Sequence, residues 1–131
     1  MGRAATGHYD RLGDAATRAL VRTHDRIVRE ALREHRGDEV KHTGDGVMAV
    51  FRSVHQSVAC ARDVQRAIDR HNRTHAGPPV HVRIGLNAGE PLAEDGDLFG
   101  TAVTAAARIC AHAKAGHILA AEVVQRLAEG T

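Results

Sequence analysis

Residues 41–51, KHTGDGVMAVF, hold a carboxylate between two glycines, four residues after a lysine. Glycine and aspartate both favour tight turns, so Gly44-Asp45-Gly46 can simply close a hairpin. A carboxylate at a hairpin tip is also well placed to hold a hard cation such as Mg²⁺, which leaves coordination positions free for phosphate oxygens. Lys41 is either solvated on a strand or a donor toward a base or a phosphate. The pattern alone leaves both alternatives open.

A second polar series lies downstream, where a loop is predicted to run into a helix. It consists of Asp97, Gly100, Thr104 and Arg108. A helix that begins near Gly100 would point free N–H groups at an anion. Thr104 and Arg108 are four residues apart and would share one helix face, although Arg108 alone also fits a surface or ion-pair role. Together with the hairpin, the series offers a metal carboxylate, a base-reading donor and acceptor, and a cation for phosphate. This set favours nucleotide chemistry.

The composition limits the classes of protein to which this chain can belong. The chain has 131 residues, which is enough for one domain with a substantial core. Two Phe, one Tyr and no Trp argue against base stacking on aromatic side chains, and a net charge of +2 does not indicate nucleic-acid binding. No stretch of the sequence has enough apolar residues in a row to cross a membrane, and the N-terminus lacks the apolar segment of a signal peptide. We therefore expect a cytoplasmic protein without membrane contact. Cys60 and Cys110 are predicted to be buried free thiols. Of the ten histidines, only His71 and His75 have the HxxxH spacing of a zinc site, and they have no third ligand in view.

Hydrophobic periodicity predicts a single domain over residues 1–131, with elements in the order helix, strand, strand, helix, strand, helix, strand, helix. The predicted helices cover 14–35, 53–74, 102–112 and 122–128, and the strands 38–42, 47–51, 80–88 and 116–120, with a polar loop over 90–100. This order indicates an α+β sandwich with helices packed on a sheet. The exposed face of the first helix carries Arg18, Arg22, Arg26, Arg29, Arg33 and Arg36. That face is either solvated or a docking stripe for an acidic partner.

Three blocks in order, EVKHTGDGVMAVF, VHVRIGLNAGEP and DLFGTAVTAAARI, resemble the catalytic domain of class III adenylate/guanylate cyclases. The likeness runs from about residue 12 to residue 127 and leaves residues 1–11 as an atypical N-terminal segment. It implies a ferredoxin-like α/β sandwich of the nucleotide cyclase type. It also implies a two-metal reaction, in which the ribose 3′-hydroxyl of ATP attacks the α-phosphate and releases pyrophosphate.

The resemblance assigns a role to each candidate residue. Asp45 would bind Mg²⁺ or Mn²⁺, and Lys41 with Asp97 would read adenine, which favours ATP over GTP. Arg108 would stabilise charge on the reacting phosphate. Thr104 stands where the family has a transition-state asparagine, and its shorter side chain predicts a lower rate. Because such sites form between two subunits, the expected partners are ATP and a second cyclase domain, in a homodimer or a heterodimer.

The resemblance also predicts losses at both ends of the fold. The family's other metal aspartate lies on a strand before the first helix and would align with about Met1, where MGRAATGHYD has no strand-like apolar run. We therefore expect the first central strand to be missing. Rearranged N-terminal residues, a partner chain or exchange between subunits would then have to cover the unpaired edges. The C-terminal strand pair, which bears a phosphate-binding lysine in the family, is also expected to be missing.

Three functions remain open from the sequence. The first is a weak adenylate cyclase. The second is a degenerate cyclase domain that binds nucleotide or dimerises without chemistry. The third is a half-site that complements a full-length cyclase, because this chain keeps the base-reading residues and the arginine.

Overall fold

The computed structural model describes residues 2–6, 14–43, 46–88, 92–94, 97–99, 101–114 and 116–129, with side chains described for 15–40, 42, 46–88, 105–114 and 116–129. The strands are β1 (Gly2–Thr6), β2 (Asp38–Thr43), β3 (Gly46–Val50), β4 (Val82–Leu86), β5 (Leu92–Glu94), β6 (Asp97–Phe99) and β7 (Ile118–Ala120). The helices are α1 (Asp14–Glu34), α2 (Val54–Thr74), α3 (Thr101–His112) and α4 (Glu122–Leu127).

The main sheet has five strands in the order β2-β3-β1-β4-β7, and β5 pairs with β6 in a separate hairpin. All neighbours in the main sheet are antiparallel except β4 and β7. α1, α2 and α4 cover one face, where Val28, Val64 and Val124 belong to one core cluster. α3 packs on β4 and β1, on the face where Met48 meets Ala106. The predicted α+β sandwich is confirmed.

The centre of the sheet requires a correction. We expected no first central strand, yet Gly2–Thr6 pair with β3 on one side and β4 on the other. This pairing uses backbone N–H and C=O groups, which the two neighbouring strands offer to any segment without proline, so no apolar run is required. Of the three ways to fill the gap, the structure shows rearranged N-terminal residues. After β7, the described residues 121–129 contain α4 and no further strand.

The segment after β4 differs from the sequence prediction as well. Residues 90–100 were expected to form a polar loop, but β5 and β6 pair within it, from Leu92↔Phe99 to Glu94↔Asp97. A strand of three residues is too short for alternation of polar and apolar residues to be recognised. The remaining predicted elements are present, with ends that differ by one or two residues.

The C-terminus of α1 ends in a Schellman motif. The N–H of Gly37 donates to the carbonyl of Leu32 at 2.8 Å, across Arg36, whose φ is +58°. The left-handed residue is therefore Arg36 and not Gly37. Position 37 requires a small residue because of packing and not because of its backbone conformation. A Cβ there would lie 2.6 Å from side-chain atoms of Leu32 and Phe51.

Arg36→Gly is therefore expected to raise the free energy of unfolding by about 1 kcal/mol, because glycine adopts positive φ without the steric cost of a Cβ. Urea denaturation measures the change. As a control, Arg22→Gly in the exposed interior of α1 should lower the free energy of unfolding by about 1 kcal/mol. Equal effects of the two substitutions would contradict the assignment.

Candidate active site

The hairpin that contains Asp45 is framed by β2 and β3. The two strands pair from Asp38↔Val50 to Thr43↔Gly46, and Gly44 and Asp45 between them lie outside the described residues. The register shifts between Glu39 and Lys41, which marks a β-bulge at Val40. The predicted hairpin strands are thus confirmed on both sides of the Gly-Asp-Gly turn.

The register also decides which face of the sheet each position of β2 occupies. Lys41 pairs with Met48, which lies on the α3 face. His42 pairs with Val47, which belongs to the core under α1 and α2. Position 41 therefore lies on the α3 face and position 42 on the α1 face. The side chain of Lys41 is outside the described set.

β6 brings the remaining candidate residues to the same region. This strand begins at Asp97 and contacts both β2 and α3. α3 carries Thr104 and Arg108, and the side chain of Arg108 is exposed. The elements that bear Lys41, Asp97 and Arg108 therefore meet on one side of the sheet. The side chains of Asp97 and Thr104 lie outside the described set, so the structure gives no distances between them.

Close packing of α3 on β4 fixes the position of this helix. A Cβ on Gly85 would lie 2.3 Å from the backbone nitrogen of Cys110, so only glycine fits. The Cys110 thiol donates to the carbonyl of Arg83 at 3.5 Å. Cys60 and Cys110 are both free and buried, as the sequence predicted. Burial raises the pKa of the Cys60 thiol to about 12, so it stays protonated.

A network of one buried and one exposed histidine links α1 to β2, and no sequence motif indicates it. Nδ1 of His24 donates to one oxygen of Asp25 at 2.9 Å, and Nε2 of His42 donates to the other oxygen at 2.9 Å. His24 is 2% exposed, and its Nε2 is buried with no hydrogen-bond partner. His42 lies 17 residues from Asp25, too far for a local sequence pattern to reveal the group.

Burial lowers the pKa of His24 from its ordinary value of 6.5, because a protonated Nε2 would be buried without an acceptor. The bond to Asp25 opposes this effect but is the smaller cause. Above pH 6.5 His24 is neutral in both the folded and the unfolded chain. As the pH falls below 6.5, the unfolded chain takes up the proton first, and stability is lost toward the lower folded-state pKa.

We therefore expect the melting temperature to stay constant above about pH 6.5 and to fall below it, because the free energy of unfolding drops by at most about 1.4 kcal/mol per pH unit through this one proton. His24→Asn keeps a donor toward Asp25 but cannot titrate, so its slope should be flatter even if its stability is lower. His55→Asn, at an exposed position on α2, should keep the slope of the wild type. Identical slopes for wild type and His24→Asn would refute the assignment.

The arginine face of α1 is exposed along its length. One of its members, Arg29, makes two hydrogen bonds to Glu39 of β2, at 2.9 and 3.2 Å. This pair raises the pKa of Arg29 and lowers that of Glu39. Arg29 is therefore already engaged within the domain, so a docking role could involve at most the other five arginines of the stripe.

A further polar cluster lies between α1 and α2, away from the α3 face. Among residues with described side chains, Glu34, His35 and Asp63 form one group whose ligand atoms lie within 4.8 Å of one another. His35 Nε2 is 2.5 Å from Asp63, and Arg66 is 3.7 Å from the same carboxylate. The first contact joins the residue after α1 to α2, and the second is an ion pair within α2, where Asp63 and Arg66 are three residues apart.

Comparison with known proteins supports the family suggested by the motifs. The family model of the adenylate and guanylate cyclase catalytic domain matches residues 6–131. A putative adenylate cyclase 3 of Rhizobium meliloti is 37% identical over 97 residues, which are 73% of this chain and 16% of that protein. An uncharacterized protein of Mycobacterium tuberculosis is 36% identical over 125 residues, which are 92% of this chain and 32% of that protein. The chain belongs to the family of adenylate and guanylate cyclase catalytic domains.

A solved structure supports the fold at higher coverage. The adenylate/guanylate cyclase/hydrolase from Silicibacter pomeroyi aligns with a TM-score of 0.83 and 32% identity, covering 95% of this chain and 76% of that one. The chain thus spans most of one solved cyclase structure but a third or less of the two curated relatives. In the described part of the chain, no helix has the length and apolar character needed to cross a bilayer.

Proposed function

We propose that this domain converts ATP to cyclic AMP and pyrophosphate, at a site shared between two cyclase domains. The observation that carries the proposal is the position of β6, which contacts both β2 and α3. This contact brings together the strands that hold Lys41 and Asp97 and the helix that holds Arg108. We place the reaction in the cytoplasm, where ATP and Mg²⁺ are abundant.

Each residue has a distinct task in this proposal. Lys41 and Asp97 hydrogen-bond the adenine and favour ATP over GTP. Arg108, on the exposed side of α3, offsets the negative charge that develops on the α-phosphate. Thr104 donates one hydrogen bond in place of a longer asparagine. We expect a slow enzyme, because this donor is shorter than the one in the family pattern.

Asp45 is the metal ligand in the proposal, with Mg²⁺ or Mn²⁺ as the ion. A hairpin carboxylate is a suitable donor for a hard cation, which would polarise the phosphates when bound. The two-metal reaction needs a second carboxylate, and β1 (GRAAT) contains none. That carboxylate must come from outside residues 2–6 or from a partner domain.

A direct assay tests the proposal. The purified protein is incubated with ATP or GTP in the presence of Mg²⁺ or Mn²⁺, and the products are separated by chromatography. We expect cyclic AMP from ATP, with less cyclic GMP from GTP. If neither nucleotide gives a cyclic product with either metal, the enzyme proposal fails.

The missing carboxylate in β1 favours a second candidate, a half-site that complements a full-length cyclase. In that arrangement the partner supplies the metal carboxylates, and this chain supplies Lys41, Asp97 and Arg108. Mixing the two proteins should raise the activity of the partner, and Arg108→Ala should abolish the increase. If the partner's activity does not change on mixing, this candidate is excluded.

A further inference from the structure

The strand that carries Lys41 lies at an edge of the sheet. β2 pairs with β3 on one side, and no described strand pairs with its other side. Its last residues lead directly into the hairpin with Asp45. An edge strand has only half the backbone hydrogen bonds of a central strand, so its end depends on contacts with the helices that cover it.

Among the described side chains, two links fasten β2 to α1, and they differ in exposure to solvent. His42 donates to Asp25 at 2.9 Å, and the side chains of His42 and Asp25 are 32% and 16% exposed. Upstream, Arg29 and Glu39 make the second link, with side chains 45% and 30% exposed. An exposed ion pair contributes little to positioning, because water competes for both partners.

The first link is also the more rigid, because Asp25 is held from two sides. His24 donates to the other oxygen of Asp25, and His24 itself is fixed in the core at 2% exposure. The Asp25 carboxylate therefore has little freedom to turn away from His42. A buried imidazole thus orients a carboxylate, which in turn holds the strand residue next to Lys41.

We propose that His42 and Asp25 are positioning residues for the nucleotide site. They hold the end of β2 so that position 41 keeps its place relative to β6 and α3. The strand is anchored on its α1 face by position 42 while the adjacent position 41 occupies the α3 face. This inference rests on the proposed function, because a displaced Lys41 matters only if it reads a base.

Three variants separate positioning from general stability. His42→Ala removes the link, His42→Gln keeps a donor near the place of Nε2 without an imidazole, and Glu39→Gln weakens the exposed link as a matched control. Assays run well below the melting temperature of each variant, with circular dichroism to confirm folding. We expect His42→Ala to lower kcat/KM about tenfold, mainly through a higher KM for ATP. We expect His42→Gln to recover most of the loss and Glu39→Gln to stay within about twofold of wild type.

Hydrogen exchange of the peptide that spans residues 38–50 gives a readout that does not need activity. His42→Ala should exchange faster than wild type there, and Glu39→Gln should not. Unchanged kcat/KM in His42→Ala, or equal losses in His42→Ala and Glu39→Gln, would overturn the proposal. If wild type neither turns over nor binds ATP, the proposed function fails. In that case unchanged exchange in His42→Ala also overturns the link, whereas faster exchange supports it as a structural anchor.

Discussion

Gly85→Ala is expected to lower the free energy of unfolding by about 3 kcal/mol. The new Cβ would lie 2.3 Å from the nitrogen and 2.7 Å from the Cα of Cys110, and 2.8 Å from the carbonyl oxygen of Ala106. All three are backbone atoms of the α3 segment, so no side-chain rotation can relieve the clash and the helix itself must move. Urea denaturation followed by circular dichroism measures the change.

Gly77→Ala is the control for this prediction. Gly77 has a φ of +105° and no atom within 4 Å of its Cβ position, so its cost comes from the backbone alone, about 1 kcal/mol. An equal or smaller effect of Gly85→Ala would show that α3 does not pack on β4 as described. Because α3 carries Arg108, a displaced helix should also lower the rate of cyclic AMP formation in the folded fraction.

Asp45→Ala is expected to lower cyclic AMP formation by more than about 100-fold. Charge stabilisation by a bound metal ion contributes several kcal/mol, and every 1.4 kcal/mol is a factor of ten in rate. Asp38→Ala, an exposed carboxylate at the other end of β2, is the matched control and should keep the wild-type rate. Both variants are assayed with saturating Mn²⁺ and ATP.

The same substitution distinguishes the two candidate functions. If this chain supplies its own metal ligand, Asp45→Ala removes activity in the isolated protein. If it acts as a half-site, Asp45→Ala should leave its stimulation of a full-length partner unchanged, because the partner provides the metal carboxylates. A wild-type rate for Asp45→Ala in the isolated protein would remove Asp45 from the metal site.

The long elements could be predicted from the sequence because each buries one face. Val64 and Ile68 of α2 fall at helical spacing, and Val82, Ile84 and Leu86 of β4 alternate, and all five are buried. β1 could not be predicted in this way, because its place depends on backbone pairing with two strands that lie more than 40 residues further along the chain. Its side chains carry no periodic signal, so only the tertiary structure shows it.

The candidate site likewise contains some residues that the sequence identifies and others that only the structure shows. Lys41, Asp45, Asp97 and Arg108 are identified by family motifs, and their roles remain proposals that the assays above test. The group formed by His24, Asp25 and His42 has no motif, because it joins a helix to a strand across 17 residues. Its geometry follows from the packing of α1 on β2, which no local pattern encodes.

The bulge in β2 has a consequence for how related sequences are aligned. Glu39 pairs with Ala49, and Lys41 pairs with Met48. Because Ala49 and Met48 are consecutive residues of β3, the pairing of the two strands continues across Val40 without skipping a residue of β3. Val40 is therefore an insertion that the sheet could lose without changing any other pair. A relative one residue shorter here should be aligned with its gap at position 40, and it would still place a residue opposite Met48 in the position of Lys41.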